Sequence, residues 1–291
     1  MLLQDFLHFN PVLFWRLFVT SDQKPTKMEF PEELKEYQHI IEQSKLDYIK
    51  VEITNGKTDI PITTSKLGGN PYLPIGIDYP LDNEGNPMML LAQLNFAEIP
   101  HIPDYPVTGL LQFFIALDDL YGLNFNNPTA QEGFKVIYHK EIKNSGLQTD
   151  FSLIEDLLKS DDVYPVLTGE YKLTFKKDVC YVPVSDVHFE EFFGQSSFDF
   201  FESFDDPDTA WEVYSDYCSS VGHRIGGYAY FTQEDPRIWK KTLREYQLLF
   251  QLDSEDKFLM WGDVGVGNFF IKKEALKKLD FSDVLYNWDC T

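Results

Sequence analysis

The chain is poor in cysteine, the residue on which disulfide frameworks and many zinc sites depend. Only three cysteines occur in 291 residues, Cys180, Cys218 and Cys290, and none belongs to a CxxC pair. An odd, scattered set of this kind argues against both a disulfide framework and a cysteine-based zinc site. Free cysteines are typical of a reducing compartment, so we expect a cytoplasmic protein.

Long apolar runs and basic residues are also scarce. No stretch of 18 or more apolar residues occurs, so the sequence predicts no membrane-spanning helix. Lys and Arg total 25 against 47 Asp and Glu, which gives a formal net charge of −22. Nucleic-acid phosphates and anionic membranes repel such a chain, so we expect neither as a partner. The acidity suits a basic partner, or it serves solubility.

The common catalytic and cofactor-binding motifs are missing as well. The sequence contains no P-loop, no nucleophile elbow, no HExxH and no Rossmann glycine fingerprint. We therefore name no catalytic residue, no metal ligand and no cofactor, and an enzyme is the less favoured hypothesis.

A repeated glycine pair is the most distinctive feature that is present. KLGGNPY at 66–72 is matched by RIGGYAY at 224–230, and the segment LLAQL at 90–94 by LLFQL at 248–252. Both matches have an offset of 158 residues, which also relates Gly109 to Gly267. A self-match of fixed period is the mark of repeated architecture. The sequence predicts an internal duplication with a pseudo-twofold relation.

The first 27 residues differ from the rest in composition. They hold three basic and two acidic residues, so residues 28–291 carry a net charge of −23. We interpret 1–27 as an extra segment, untranslated or unstructured, with the true start at Met28; an amphipathic membrane-surface segment is the alternative. Residues 28–291 are predicted to form a single domain of two repeats, at about 45–160 and 161–291.

Apolar alternation and helix signals divide the domain into short elements. Strands are predicted over 47–53, 60–64, 90–96, 109–117, 134–142, 171–177, 180–185, 246–253, 267–271 and 281–288. Helices are predicted over 31–44, 149–160, 207–219, 235–243 and 272–279. Helices do not alternate regularly with the strands, which is typical of an α+β fold with mostly antiparallel sheets.

These motifs in combination carry a family resemblance. KLGGNPYLP, LAQLNF, GLLQFFI, LLFQLDS, MWGDVGVGNFFI and the terminal YNWDC resemble the YwqG-like bacterial family, a domain of unknown function, over roughly residues 30–291. RIGGYAY, LLFQLD and a late tryptophan are distantly similar to the programmed-cell-death-protein-two group. The resemblance to YwqG-like proteins, some of which resemble companions of secreted-toxin loci, implies a chaperone or immunity role.

Several polar and aromatic residues could line a cleft between the repeats. Gln93 and Gln251 occupy matching places in two apolar strands, where a buried amide needs hydrogen-bond partners. The other candidates are Tyr72, His223, Tyr230, Asp235, Trp261, Asp263 and Asn268. Structural pairing and core packing are the competing interpretations of all of them.

The segment 186–217 combines ten acidic residues with ten aromatic ones and contains no Lys or Arg. It is a solvated helix pair, a recognition surface for a basic client, or a partly disordered segment. Glu190, Glu191, Asp205 and Asp206 are its candidate interface residues. Exposed aromatic side chains among acids would mark an interaction site.

Three hypotheses of function follow. The favoured one is a protein-binding module, chaperone-like or an adaptor, whose partner is a basic polypeptide. The second is an enzyme in which Asp235 and Asp263 serve as general acid and base. The third is a small-ligand sensor that uses the cleft.

Overall fold

Within the part of the chain that the structure describes, ten strands form one antiparallel sheet that takes strands from both halves. The computed structural model describes residues 29–54, 60–160, 162–255 and 258–291, and the predictions for residues 1–27 lie outside this part. The strands are β1 Leu46–Thr54, β2 Lys66–Gly68, β3 Met89–Asn95, β4 Leu110–Ile115, β5 Phe134–His139, β6 Glu170–Cys180, β7 Arg224–Gly226, β8 Tyr246–Asp253, β9 Val266–Lys272 and β10 Val284–Asp289.

Short helices connect and cover these strands. The α-helices are α1 Gln38–Gln43, α2 Ser152–Leu157, α3 Phe189–Phe193, α4 Ser197–Glu202, α5 Pro207–Tyr217 and α6 Lys273–Lys277. Single 3₁₀ segments lie at Glu32–Tyr37, Phe96–Glu98, Pro236–Trp239 and Lys241–Leu243. None of the helices described has the length and apolar character needed to cross a bilayer. The fold is therefore mixed α and β with an antiparallel sheet, as the sequence predicts.

The order of strands in the sheet is symmetric about its centre. It runs β10-β9-β8-β7-β1-β6-β2-β3-β4-β5, with β1 and β6 paired from Leu46↔Cys180 to Thr54↔Lys172. β1 also pairs with β7 from the second half, and β6 with β2 from the first. Each half thus places its central strand against the glycine-pair strand of the other half, and the sheet cannot be cut into two without breaking these pairings.

A β-bulge recurs at the same place on both sides. The register shifts between Leu90 and Ala92 in β3, and between Leu248 and Phe250 in β8. The offset of 158 residues therefore holds along these strands. A bulge bends its strand and increases the local twist, so both arms of the sheet turn at corresponding points.

The offset does not extend into the next strands, contrary to the sequence prediction. Leu94 pairs with Leu111, whereas Leu252 pairs with Gly267. The residue equivalent to Gly267 is therefore Leu111 and not Gly109, because the connection from β8 to β9 is two residues shorter than that from β3 to β4.

The sheet curls until its two arms face each other across one core. The ring of Phe113 in β4 lies 5.0 Å from that of Phe250 in β8 and 4.8 Å from that of Phe269 in β9. Phe134 in β5 lies 5.1 Å from Tyr286 in β10. The main hydrophobic cluster therefore contains residues of both halves.

Two predicted strands are wrong. Residues 62–64 form a turn closed by a hydrogen bond from Thr64 N to Pro61 O, so 60–64 is not a strand. Beyond Cys180 the chain leaves the sheet, because Pro183 has no N–H for a ladder and its carbonyl accepts the turn bond from Asp186 N. Residues 171–180 instead all belong to one continuous strand, β6.

Candidate functional site

The amide of Gln93 is buried and fully hydrogen-bonded. Its Oε1 accepts from Tyr72 N at 2.9 Å and from Gln112 Nε2 at 2.9 Å. Its Nε2 donates to Ile62 O at 2.8 Å and to Thr64 O at 2.9 Å. The side chain thus holds the turn before β2 and the segment after the glycine pair against the sheet.

The amide of Gln251 repeats this arrangement in the second half. Its Oε1 accepts from Tyr230 N at 2.7 Å, and its Nε2 donates to Ser220 O at 2.9 Å and Gly222 O at 2.6 Å. Asn268 Nδ2 donates to Tyr230 O at 2.9 Å, as Gln112 Nε2 does to Tyr72 O at 2.8 Å. Two of the predicted cleft residues of the first half and three of the second therefore belong to one hydrogen-bonded group in each half.

The two groups differ at one neighbour. His139 Nε2 lies 2.9 Å from Gln112 Oε1 in the first half. Asp289 takes the corresponding place in the second half, and its carboxylate accepts from Thr232 and Gln233 instead. The buried Asn268 Oδ1 accordingly has no hydrogen-bond partner among the described residues.

His223 is held in one tautomer by its two hydrogen bonds. Asp253 N donates to His223 Nδ1 at 3.0 Å, so Nδ1 carries no proton. Nε2 then carries the proton and lies 3.1 Å from Glu255 Oε1. The imidazole is buried beside β7 and bridges two backbone segments.

Trp261 and Asp263 flank the turn before β9 and face different surroundings. The Trp261 side chain is fully buried against Tyr286 and Trp288, and its Nε1 has no partner among the described residues. Asp263 is exposed, and its backbone carbonyl accepts from Thr291.

Asp235 lies in a buried ion-pair network that the sequence did not reveal. Its carboxylate accepts from Arg237 Nε at 2.9 Å and Nη2 at 2.7 Å, and from Val187 N at 3.0 Å. Arg237 Nη2 also donates to Asp186 Oδ2 at 2.8 Å, and Nη1 to Tyr246 O at 2.9 Å. All three charged side chains are almost fully buried. Asp235 is thus committed to joining the 186–188 turn to the sheet.

The network sets the acidity of Asp186 and His188. Burial alone would raise the pKa of Asp186, but the charge of Arg237 and the hydrogen bonds from His188 outweigh it and hold the pKa at about 2. The pKa of His188 is raised, chiefly because its Nδ1 hydrogen-bonds to Asp186 Oδ1 at 2.7 Å, although burial opposes this. His188 Nε2 lies 3.1 Å from Arg244 O, so the protonated ring satisfies both partners.

Nine of the ten acids of 186–217 are exposed, and we call the exposed acidic part of this segment the acidic face. Its members are Glu190, Glu191, Asp199, Glu202, Asp205, Asp206, Asp208, Glu212 and Asp216. Among the described residues, none of these carboxylates forms an ion pair with a Lys, Arg or His. The four predicted interface residues therefore are all exposed, and none of them is paired with a cation of the described residues.

Aromatic side chains pack together beneath the acidic face. Phe200 and Phe201 of α4 pack with Phe189 of α3 and Tyr214 of α5, with ring centroids 4.9 to 6.4 Å apart. Asp206 accepts a hydrogen bond from Thr209 N and begins α5 as predicted. Most aromatic residues of the segment are therefore core, whereas Phe198 is 67% exposed.

A cavity of about 340 Å³ lies beside the first glycine pair. Its walls are Gly68, Gly69, Asn70, Met89, Leu90, Ile154, Glu155, Leu158, Leu167, Gly169 and Glu170. It opens between α2 and the start of β6. No group of three or more His, Cys, Asp or Glu in the described part of the chain is arranged to hold a metal ion.

Sequence reasoning missed Gln112, Asp186, Arg237, Glu155 and Glu170. Gln112 carried a usable signal, because it is a polar residue inside the apolar run GLLQFFI, just as Gln93 is in LLAQL. The other four come together only through contacts between distant segments.

Comparison with known proteins identifies the family of this chain. A search of curated proteins gives no match. A family model described as "Domain of unknown function (DUF1963)" matches residues 65–290, which include both glycine pairs and the strands from β2 to β10. This chain belongs to the DUF1963 family.

Proposed function

We propose that this protein binds a basic polypeptide, as a chaperone-like or adaptor module. The acidic face is the observation that carries the proposal: nine carboxylates between residues 190 and 216 are exposed and have no cationic partner among the described residues. Uncompensated like charges repel one another, and a basic partner relieves that repulsion. Complementary charge also speeds encounter, and salt weakens the effect.

Partial burial and one neighbouring charge act together on a carboxylate of the acidic face. The pKa of Asp216 is raised, first by partial burial and then by the neighbouring charge of Glu212. Bound cations would lower the pKa of Asp216 again. Glu212 and Asp216 therefore lie close enough on the acidic face for their charges to interact.

Phe198 supplies an apolar contact within this charged surface. It lies in α4 beside Asp199, and its side chain is 67% exposed. Aromatic residues are the side chains that most often dominate the binding energy of an interface. A basic polypeptide with one apolar residue between its cations fits this combination.

Affinity capture from the native cell with mass spectrometry tests the proposal. The acidic-face variant combines Glu190→Gln, Glu191→Gln, Asp205→Asn and Asp206→Asn. Asparagine caps a helix about as well as aspartate does, so the start of α5 is preserved. We expect the wild type to capture a basic polypeptide, and the acidic-face variant to lose most of it.

A charge-matched control separates a specific surface from general acidity. It neutralises four exposed acids outside the acidic face, Glu84, Asp119, Glu132 and Glu141, and thus has the same net charge as the acidic-face variant. Equal loss from both variants, or unchanged capture by the acidic-face variant, would contradict the proposal.

We further propose that the two arms of the sheet arose by internal duplication. The symmetric strand order, the matching bulges and the equivalent amide networks support this. On this view residues 28–291 form a single domain of two repeats, at about 45–160 and 161–291. The central strand of each repeat pairs with a strand of the other, so the two repeats share one sheet.

We also propose a more specific family assignment for this chain. The sequence motifs support a place among YwqG-like bacterial proteins, with a more distant similarity to the programmed-cell-death-protein-two group. We also propose a cytoplasmic location, because the three cysteines are free. A chaperone or immunity role would be one form of the proposed binding.

A small-ligand sensor is the second candidate, and the cavity beside Gly68 is the observation that favours it. The enzyme hypothesis has less support. Asp235 is committed to Arg237, and Asp263 is exposed. A metabolite that co-purifies with the wild type while no polypeptide is captured would favour the sensor.

A further inference from the structure

We propose that the cavity beside Gly68 receives a single lysine or arginine side chain of the bound polypeptide. This inference rests on the proposed function and gives it a specific site. A volume of about 340 Å³ is at the small end of the range of about 300–1,000 Å³ found for ligand pockets. It suits one long side chain better than a large cofactor.

The walls of the cavity match an aliphatic chain that ends in a cation. Leu90, Ile154, Leu158 and Leu167 provide apolar surface. Lysine and arginine characteristically bury their methylene stems along such surface and keep the charged end at a polar rim.

The polar part of the cavity carries net negative charge. Glu155 and Glu170 both line it. Lys66 compensates Glu170 with an Nζ–Oε1 distance of 2.7 Å. Glu155 has only the neutral donor Asn70 Nδ2 at 2.9 Å, and no ion pair within the described residues. One carboxylate therefore remains for an incoming cation.

Lys66 shows how this part of the fold holds a cation. Its side chain is 1% exposed, and Nζ donates to Asn70 O at 2.6 Å as well as to Glu170. Carbonyls and carboxylates around the glycine pair thus already solvate one buried ammonium group. A second cation at Glu155 would use the same kind of oxygen ligands.

The second half of the chain shows what fills the equivalent space. Gly226 and Leu248 correspond to Gly68 and Leu90, which both line the cavity. A Cβ built on Gly226 would lie 3.0 Å from Ile102 Cδ1 and 3.2 Å from Tyr105 Oη. Tyr105 Oη donates to Leu248 O at 2.6 Å. Beside Gly226, a long side chain with a terminal donor therefore fills this space, whereas the matching neighbours of Gly68 are Gly169 and Leu167, which line the cavity.

Methyl NMR of the full chain tests the proposal with two matched probes. N-acetyl-lysine N-methylamide carries the cation, and N-acetyl-norleucine N-methylamide has a similar stem without it. We expect the lysine probe to shift the methyl signals of Leu90, Ile154, Leu158 and Leu167, and the norleucine probe to leave them nearly unchanged. Equal shifts from both probes, or none from the lysine probe, would overturn the proposal.

Two pairs of variants on α2 and its end provide the controls. Glu155→Gln keeps the acceptor for Asn70 and removes the charge, so it should weaken lysine-probe binding by on the order of threefold, as for a partly exposed ion pair. Leu158→Trp should block the mouth and abolish binding. Asp156→Asn and Leu153→Trp change exposed neighbours outside the cavity and should have no effect. An equal effect of Asp156→Asn and Glu155→Gln would contradict the assignment of the cation to Glu155.

Capture of the polypeptide partner by the same variants separates this proposal from the proposed function. If the acidic-face variant loses the partner but the lysine probe leaves the cavity methyls unchanged, the cavity proposal is wrong and the proposed function stands. If the lysine probe binds but Leu158→Trp captures the partner with undiminished affinity, the cavity binds a free amine. The proposal that it receives a side chain of the bound polypeptide is then wrong.

Discussion

Gln93 and Gln251 lie 158 residues apart and make corresponding hydrogen bonds. Each Oε1 accepts the backbone N–H of the tyrosine 21 residues earlier, Tyr72 or Tyr230. Each Nε2 donates to two carbonyls, 31 and 29 residues earlier in the chain. A single side chain in each arm thus satisfies the turn before and the segment after a glycine pair.

Replacing Gln93 by Leu should destabilise the protein by roughly 2–4 kcal/mol. The change leaves Tyr72 N and two buried carbonyls without their partner, and each buried unsatisfied group costs about 1–3 kcal/mol. Urea unfolding measures the effect. Gln38→Leu, at an exposed position in α1, is the control and should change the free energy of unfolding by less than about 0.5 kcal/mol. A similar small change for Gln93→Leu would show that water replaces the amide.

Gly68→Ala should cost more than Gly85→Ala, although both glycines have positive φ, +61° and +88°. A Cβ on Gly85 meets nothing within 4 Å, so only the left-handed backbone is penalised, by about 1–2 kcal/mol. A Cβ on Gly68 would also meet the carbonyl oxygen of Gly169, which is backbone and cannot rotate away. We expect this contact to destabilise Gly68→Ala by roughly a further 1–3 kcal/mol, the usual cost of overpacking. Urea unfolding measures both variants. Equal losses at the two positions would contradict the close approach.

Asp186 should make the protein sensitive to acid. Its folded pKa of about 2 lies below the ordinary value of 3.8, so the ionised form stabilises the fold above pH 4. That contribution, about 2 kcal/mol, is lost as the pH falls from about 4 to 2. Asp186→Asn should lower stability at pH 7 by roughly 3 kcal/mol, because Arg237 loses a buried partner, and should flatten the decline in acid. Glu132→Gln, at an exposed site, should leave the acid profile unchanged.

His188 should have the opposite pH dependence. Its folded pKa is raised, so protonated His188 stabilises the fold below its ordinary value of 6.5. The contribution disappears as the pH rises through the folded pKa. The midpoint temperature of thermal unfolding should therefore fall between pH 6 and pH 9 in the wild type, and His188→Gln should remove this fall. If His188→Gln shows the same fall in midpoint temperature as the wild type, another titrating group causes it.

The sequence contained enough information for most of the regular structure. Apolar runs located β3, β4, β8, β9 and β10, and the Asp206–Pro207 pair located the start of α5. The second glycines of the two repeated pairs, Gly69 and Gly227, have φ values of +68° and +72°, a conformation that glycine adopts without strain. The segment 60–64 is not a strand, because the carbonyls of Ile62 and Thr64 accept from the Gln93 side chain instead of from a neighbouring strand.

The site could be predicted only in part, for a physical reason. The acidic face comes from one continuous segment, so local composition revealed its charge. The Asp186–Arg237–Asp235 network joins residues 51 positions apart, and the cavity joins the glycine pair to α2 and β6. Contacts of that range depend on the curl of the sheet, which no local pattern encodes.

The affinity of the captured polypeptide for three forms of the protein tests the central claim most directly. The forms are the wild type, the acidic-face variant and the charge-matched control, each measured by titration calorimetry at about 50 and about 300 mM salt. We predict that the acidic-face variant binds at least about tenfold more weakly than the charge-matched control, and that added salt weakens the wild type most. Equal affinities of the two variants would contradict the claim that this surface recognises a basic partner.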